Sequence, residues 1–314
     1  MPQLSFLSLA QQKKALKCER FLNEMKRVVP WEKITNLIQP YYSNNVFGRK
    51  PKSLLLMLQI YCLQQWYQLS DPGMEESVYD RISFQKFLEL DLLQDSVPDE
   101  TTILNFRHLL EENDLTHKIF ALISNYLADK GLLLREGTIV DATIISSPTS
   151  TKNKEGKRDE EMSSTMKNDQ WFFGMKTHVG VDVKHGIAHS YEFTTAKVHD
   201  RECFPLLLHG EERSVFGDKA YSSDIDKNKA RDADIFWGIL DKGKRNHPLS
   251  TKQKKRNKTF SSVRSKVEHI FQIIKHLWNY RKTRYKGIKK NASQLIMLLT
   301  LANLFKVRRK LLTA

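Results

Sequence analysis

Three carboxylates sit where solubility does not explain them. Asp141 interrupts the β-branched run Thr138-Ile-Val-Asp-Ala-Thr-Ile-Ile145, and a carboxylate inside a buried strand costs several kcal/mol unless it is paired, metal-bound or carried to a polar end. Asp218 closes the short apolar stretch Val215-Phe216-Gly217, just ahead of Lys219-Ala220-Tyr221. Glu268 is the single acid in the segment 242–314, which carries 21 Lys and Arg. Each acid has a plain alternative: a buried Arg partner for Asp141, a turn for Asp218, and for Glu268 a helical pair with Arg264 worth about 0.3–0.5 kcal/mol. That last alternative explains Glu268 but not the loss of every other acid nearby.

A surface built only to grip phosphate would gain by shedding its last carboxylate. Retention of Glu268 therefore points to a cation between it and the phosphate. Hard divalent ions take oxygen ligands from one or two carboxylates, keep several waters and accept a substrate phosphate. Three carboxylates can hold two such ions, and two metals about 3.5–4 Å apart can activate an oxygen nucleophile on one side of a phosphorus and stabilise the leaving oxygen on the other. The predicted chemistry is in-line attack on a phosphodiester. At about 100° per residue, Arg264, Glu268 and Lys275 fall within about 40° of one another on a helix. They lie beside the apolar face Val263, Val267, Ile270, Ile274, Leu277 and Trp278, where Arg264 and Lys275 would hold flanking phosphates.

Other residues carry a chemical and a structural reading side by side. Lys176 and His178 share one strand face, opposite Val179 and Val181, and suit an approach to DNA or the acids, or a solvated face; Lys219 adds a cation beside Asp218. His199-Asp200 reads as a turn cap near the site or as part of it. Trp171-Phe172-Phe173 suits stacking on an unpaired base or entry into the core. Lys252 to Lys258, KQKKRNK, reads as a phosphate-contact loop or a solvated charge run. Arg107 and its neighbours are candidates for reading DNA in a groove.

These residues need elements to hold them. Apolar residues recur at three and four from about Leu4 to Lys130, predicting helices, with breaks at Gln39-Pro40, Asp71-Pro72-Gly73 and Val97-Pro98. Pro51 suits a helix start before Leu54, and Asp99-Glu100-Thr101 offers caps for a helix carrying Arg107 and His108. Strands are predicted over Thr138–Ile145, in a hairpin turning at Lys184-His185-Gly186, at Val215–Asp218 and at Ile235–Leu240, with a polar helix over 222–233. Residues 146–170 read as a polar, mobile loop with Met162 and Met166 as its only large apolar residues. The fold class is α/β, a mixed sheet flanked by helices and preceded by an all-α N-terminal domain.

Composition agrees. At about 150 residues per domain, 314 residues suggest two units, here 1–130 and 131–314. With 40% hydrophobic and 28% charged residues the chain is globular. A net charge of +15 and a pI near 9.6 favour a polyanionic partner, nucleic acid first. The longest uncharged runs, 53–70 and 291–305, are too short or too polar to span a bilayer. MPQLSFLSLAQQKK puts its basic residues after its apolar ones, the wrong order for a secretory signal. Cys18, Cys62 and Cys203 lack metal-ligand spacing and suit a reducing compartment. The expectation is a soluble cytoplasmic protein without membrane contact.

On these residues the sequence resembles the DDE transposases of bacterial insertion sequences, nearest the insertion-sequence-five family, related to the insertion-sequence-four group. The resemblance rests on Val140-Asp141-Ala142-Thr143, on Gly217-Asp218-Lys219-Ala220-Tyr221, and on Glu268 with Arg264 four before and Lys275 seven after. Ser261 stands where the family has Tyr, with Phe260 adjacent. Trp171-Phe-Phe-Gly-Met-Lys-Thr-His-Val-Gly-Val-Asp182, Thr195-Ala-Lys-Val-His-Asp200 and Arg284-Tyr-Lys-Gly-Ile-Lys-Lys-Asn291 extend it. Asp71-Pro-Gly-Met-Glu-Glu76, Tyr79-Asp80-Arg81 and Pro98-Asp-Glu-Thr-Thr102 carry it into the N-terminal half.

The resemblance implies a ribonuclease-H-like core with Asp141 on the first strand, Asp218 on the fourth and Glu268 on a later helix. It implies Mg²⁺ or Mn²⁺, two ions, held by these three acids. It also implies cleavage at terminal inverted repeats of double-stranded DNA and strand transfer into target DNA without a covalent enzyme intermediate. A homodimer or higher oligomer on DNA, at the bacterial nucleoid, follows from the need to join two ends. The spacings of 77 and 50 residues between the acids leave room for the hairpin but for no large inserted domain. Two other functions fit the sequence: a repeat-binding protein without catalysis, and a nuclease of the same fold that never joins strands.

Overall fold

The computed structural model describes residues 16–42, 50–154, 156–243 and 247–313; the start of the predicted helical segment at Leu4, and the MPQLSFLSLAQQKK stretch, lie outside them. Helices occupy Lys17–Val28, Trp31–Ile38, Leu54–Tyr67, Asp71–Asp80, Ile82–Leu88, Glu100–Glu112 and Leu115–Asp129. The Leu54–Tyr67 helix is buried almost all round, with Met57, Leu58, Ile60, Cys62, Leu63 and Trp66 inside, and Trp31–Ile38, Asp71–Asp80, Ile82–Leu88 and Glu100–Glu112 pack about it. Asp99 caps its helix, its carboxylate accepting from the Thr102 N–H at 2.7 Å. Asp71-Pro72-Gly73, read as a break, is instead a first helical turn capped by the Ser70 hydroxyl. Pro is tolerated there because the N–H it lacks has no partner within the helix.

The sheet begins at β1 (Gly137–Ser146), followed by β2 (Ser163–Lys167), β3 (Gln170–Asp182), β4 (Ala188–Thr195), β5 (Ser214–Gly217) and β6 (Phe236–Ile239). Its order is β2-β3-β1-β5-β6, with β4 also paired to β3. β3 runs antiparallel to β1, β2 and β4, whereas β1, β5 and β6 are parallel. The β3–β4 turn closes with Gly186 at φ +61° and the Asp182 carboxylate accepting from the His185 N–H at 2.6 Å.

The segment 146–170 departs from the loop expected. It contains β2, which pairs along the start of β3, and Met162 is buried. Its acids also do structural work: Asp159 accepts from the Gly287 N–H and Glu161 from the Ile288 N–H, each at 2.7 Å. These are free donors at the start of the C-terminal helix Ile288–Thr313, where carboxylates are stabilising. Composition correctly denied this stretch a core of its own; its order comes from backbone pairing and charge.

The C-terminal helix is the hub. The uncharged run 291–305 forms its buried middle, packed on the N-terminal helices Lys17–Val28, Leu54–Tyr67 and Leu115–Asp129 and on β4. Asn303 fixes it to β4 by a reciprocal pair with the Ala188 backbone at 2.7 and 2.8 Å. One hydrophobic cluster therefore runs from the helical half through to the sheet. Among the described residues no helix is long and apolar enough to cross a membrane.

Candidate active site

β1 is buried from Gly137 to Val140 and half-exposed from Asp141 to Ile144. The change has a topological cause: β5 pairs with β1 only as far as Gly217 opposite Val140, so β1 runs on with an open edge. Asp141 is the first residue past the pairing on β1, and Asp218 the first on β5. The two acids therefore lie side by side just past the pairing of two adjacent parallel strands. Because of β2, Asp218 follows the fifth strand rather than the expected fourth. Gly217 permits the local packing, since a Cβ there would lie 2.8 Å from Ile239 Cδ1 and 2.9 Å from Val140 Cγ2.

Glu268 arrives on the helix Thr251–Gln272, which packs across β1 and β5. Val267 and Ile270 are fully buried, and Phe260 stacks edge-on against Phe216 and Phe236 at 5.9 and 5.6 Å, anchoring the helix one turn before Arg264. Leu277, expected on the buried face, is 58% exposed, because residues Ile273–Leu277 form a π-helical turn that breaks the 100° progression. The same helix includes KQKKRNK, so this stretch is not a loop: Ser250 and Gln253 form a capping box, and Arg256 ion-pairs with Asp241.

Arg264 joins the acids. Its Nη1 donates to Asp141 Oδ2 at 2.7 Å and its Nη2 to Glu268 Oε1 at 2.5 Å. Asp141 Oδ1 also accepts from the Ala142 N–H at 2.9 Å, and Asp218 Oδ1 from the Lys219 N–H at 2.5 Å. Burial pushes the Asp141 carboxyl up to about 6; Arg264 opposes this and the charge of Asp218 adds to it. The buried Tyr221 phenol is pushed up by desolvation, with Asp200, Asp141 and Asp218 each adding, so all three charges lie around it. Among the described residues no three carboxylate, imidazole or thiol groups converge closely enough to hold an ion together. Asp141 and Glu268 meet through a guanidinium instead.

A cavity of about 190 Å³ opens along the free edge of β1, lined by Asp141, Thr143, Lys167, Lys176, Asp200 and Asp218 among others. Lys176 is thus at the site, ion-paired to Asp200 at 2.9 Å. Lys275 lies on the same edge, donating to Thr143 Oγ1 at 2.6 Å and Ile144 O at 2.5 Å, and burial lowers it to about 8. Lys219 is exposed beside Asp218.

His178, expected to reach DNA, is fully buried, bonded to Thr194 Oγ1 at 2.9 Å and lowered by burial to about 4, so it offers no surface to a strand. Arg107 is no groove reader either: it is buried between Asp71 and Glu111, each 3.1 Å away, over the Tyr285 ring. Trp171 is 72% exposed at the start of β3, and Phe172 and Phe173 are half-buried. Thr143, Lys167 and Tyr221 were missed as site residues, since nothing in their spacing marks them. Asp200, read with His199 as a turn cap near the site or as part of it, lines the cavity.

Residues 133–304 match the family model described as "Transposase DDE domain", and residues 10–109 match one described as "Transposase domain (DUF772)". The fold is shared with a solved chain described as "Cryo-EM structure of piggyBac transposase synaptic complex with hairpin DNA (SNHP)", at a TM-score of 0.51 and 10% identity, over 97% of this chain and 77% of that one. At that identity the likeness concerns the ribonuclease-H-like fold alone, while the family match spans the sheet and the helix that bears Glu268. The chain belongs to the DDE transposases and is a DNA transposase.

Proposed function

We propose that Asp141, Asp218 and Glu268 carry DNA strand cleavage and transfer in this transposase, acting on terminal inverted repeats in double-stranded DNA. One observation carries the assignment: the Arg264 guanidinium ties Asp141 to Glu268 beside the cavity that Asp218 also lines. A strand-interior acid, a strand-end acid and a helix acid have no shared structural reason to be gathered at one cationic edge.

DDE transposases use divalent metal ions; we assign Mg²⁺ or Mn²⁺, two ions, to these three acids. The donor set fits, being all carboxylate oxygen, the preference of hard cations. The Asp141 side chain is only 17% exposed, and its ionisation, disfavoured by desolvation and then by Asp218, also gains from added positive charge. Bound ions would supply an activated oxygen nucleophile and stabilise the leaving oxygen. The chain's own residues do the rest. Asp141 is held within β1 and Asp218 at the end of β5, and Arg264 and Lys275 exchange their present acceptors for phosphate oxygens on either side of the scissile bond. Lys219, exposed, adds positive charge along the strand. Residues 1–130 serve DNA binding and assembly, and two or more copies bring two ends together, in the cytoplasm.

The test incubates purified protein with labelled terminal repeats, a target plasmid and Mg²⁺. Joined product is expected from the wild type. Asp141→Ala, Asp218→Ala and Glu268→Ala are each expected to give none while binding the repeats within about threefold. Nicked ends without joining would make the protein a nuclease, and binding without nicking a repeat-binding protein.

A further inference from the structure

The acid cavity has a second arm, which enters from the other face of the sheet. Asp141 faces the helix that bears Glu268, whereas Lys176 projects from β3 on the alternate face, its register partners being Ile144 on β1 and Thr194 on β4. Asp200 begins the 3₁₀ helix Asp200–Leu207, which packs against that face, and His199 caps it. Lys176 and Asp200 nevertheless line the same cavity as Asp141 and Asp218, where the pairing of β1 with β5 has ended at Val140.

The ammonium of Lys176 is held from two directions. Nζ donates to Val198 O at 2.7 Å and lies 2.9 Å from Asp200 Oδ1. Its side chain is only 13% exposed and that of Asp200 27%. A lysine ammonium has three N–H donors in tetrahedral array, so at least one has no acceptor among the described residues. Lys219, by contrast, is exposed and unfixed. Lys176 is thus a lysine already ordered at the cavity wall, its conformational entropy lost on folding rather than on binding DNA.

We infer that Asp200 is a positioning residue of this site: it holds the Lys176 ammonium at the cavity wall, where the free N–H meets a non-bridging oxygen of a DNA backbone phosphate. The inference rests on DNA entering this cavity, as in the function proposed above. It makes an unusual demand of Asp200. A carboxylate beside DNA repels it, so removing an ordinary one tightens binding. Removing a carboxylate that holds a phosphate-binding lysine in place loosens binding.

The salt dependence of affinity for a short duplex carrying a terminal repeat, measured without divalent metal, reads this directly. Each phosphate neutralised contributes about 0.9 to the slope of log affinity against log salt. Lys176→Gln is expected to lower the slope by about that much and weaken binding about threefold to tenfold. Asp200→Asn is expected to do nearly the same, and the double variant no worse than Lys176→Gln alone, as for two residues acting as one unit. An unchanged slope in Lys176→Gln, tighter or unaltered binding in Asp200→Asn, or additive losses in the double variant would each overturn the inference. Asp200→Ser carries the same comparison if Asp200→Asn does not fold. The slope is independent of cleavage, so cleavage retained by Asp141→Ala would remove the catalytic assignment and leave the clamp standing. A flat slope with cleavage abolished in Asp141→Ala would do the reverse.

Discussion

Arg264 and Asp141, 123 positions apart in sequence, are joined Nη1 to Oδ2 at 2.7 Å. The same guanidinium reaches Glu268 at 2.5 Å, so one side chain supplies the counter-charge for both acids. Its planar fork is the reason it can: two N–H groups diverge from one carbon and each meets a separate carboxylate.

Arg264→Ala is expected to lower end cleavage by about 10²–10³-fold, the typical loss when one preorganised donor is removed from charge developing at phosphorus. Arg264→Lys is expected to recover little, because a point charge cannot serve two acceptors set apart by the fork. Nicking of a labelled terminal repeat measures both. A lysine variant with wild-type rate would show that charge alone is needed at residue 264.

Asp141 predicts an inverted pH dependence of stability. Burial raises its folded pKa from 3.8 to about 6. The folded state therefore holds the proton more tightly than the unfolded chain does, and the stability this gives is complete below about pH 4 and lost as pH rises through about 6. The loss is on the order of 2–3 kcal/mol. Asp141→Asn, which has no proton to lose, should gain in melting temperature relative to the wild type as pH goes from 4 to 7. Mn²⁺ should raise the melting temperature of the wild type at pH 7 but not that of the variant. A difference that stays flat with pH would mean that Asp141 is solvated rather than buried.

The candidates Asp141, Asp218 and Glu268 stand out in the sequence because each violates a local rule: an acid in an apolar strand, an acid at a strand end, and one acid among 21 bases. The strands and most helices were legible from period. Two kinds of feature were not. β2 carries one large apolar residue, Met166, too few to show alternation, and its order comes from pairing with β3 across the tight Asn168-Asp169 turn, where both residues have positive φ. The burial of His178 and Arg107 follows from which faces become covered: alternation put Lys176 and His178 on one strand face but could not say that the 3₁₀ helix after Asp200 would pack on it. The π turn at Ile273–Leu277 likewise moves Leu277 out to solvent with no sequence signal to announce it.

Lys275 sits partly buried at about 8, lowered by desolvation and by the charges of Lys167 and Arg281. It is cationic below that pH and neutral well above it, so its phosphate contact should weaken as pH rises from 7 to 9.5. The salt slope of DNA binding is expected to fall by about 0.9 across that range, with a midpoint above 8 because bound phosphate favours the charged form. Lys275→Arg stays charged and should keep its slope throughout. A wild-type slope that does not change with pH would remove Lys275 from the phosphate contacts.

Arg107 yields a prediction opposite to the one its helix position suggests. Its side chain is 7% exposed, ion-paired with Asp71 and Glu111, each at 3.1 Å, and 4.3 Å from the Tyr285 ring centroid. Tyr285 belongs to the turn that Asn291 closes, accepting from the Arg284 and Tyr285 N–H groups at 3.1 and 3.2 Å, just where the C-terminal helix begins. Arg107 therefore ties two N-terminal helices to the start of the helix that threads the whole core. Arg107→Ala leaves two largely buried carboxylates without their cation, a change that costs about 3–5 kcal/mol, and urea unfolding should show that loss with an unchanged dependence on denaturant. Where the variant remains folded, its preference for terminal-repeat DNA over unrelated duplex should match that of the wild type. A side chain that read bases would behave the other way round, with wild-type stability and relaxed preference, because a solvent-facing arginine holds up no core.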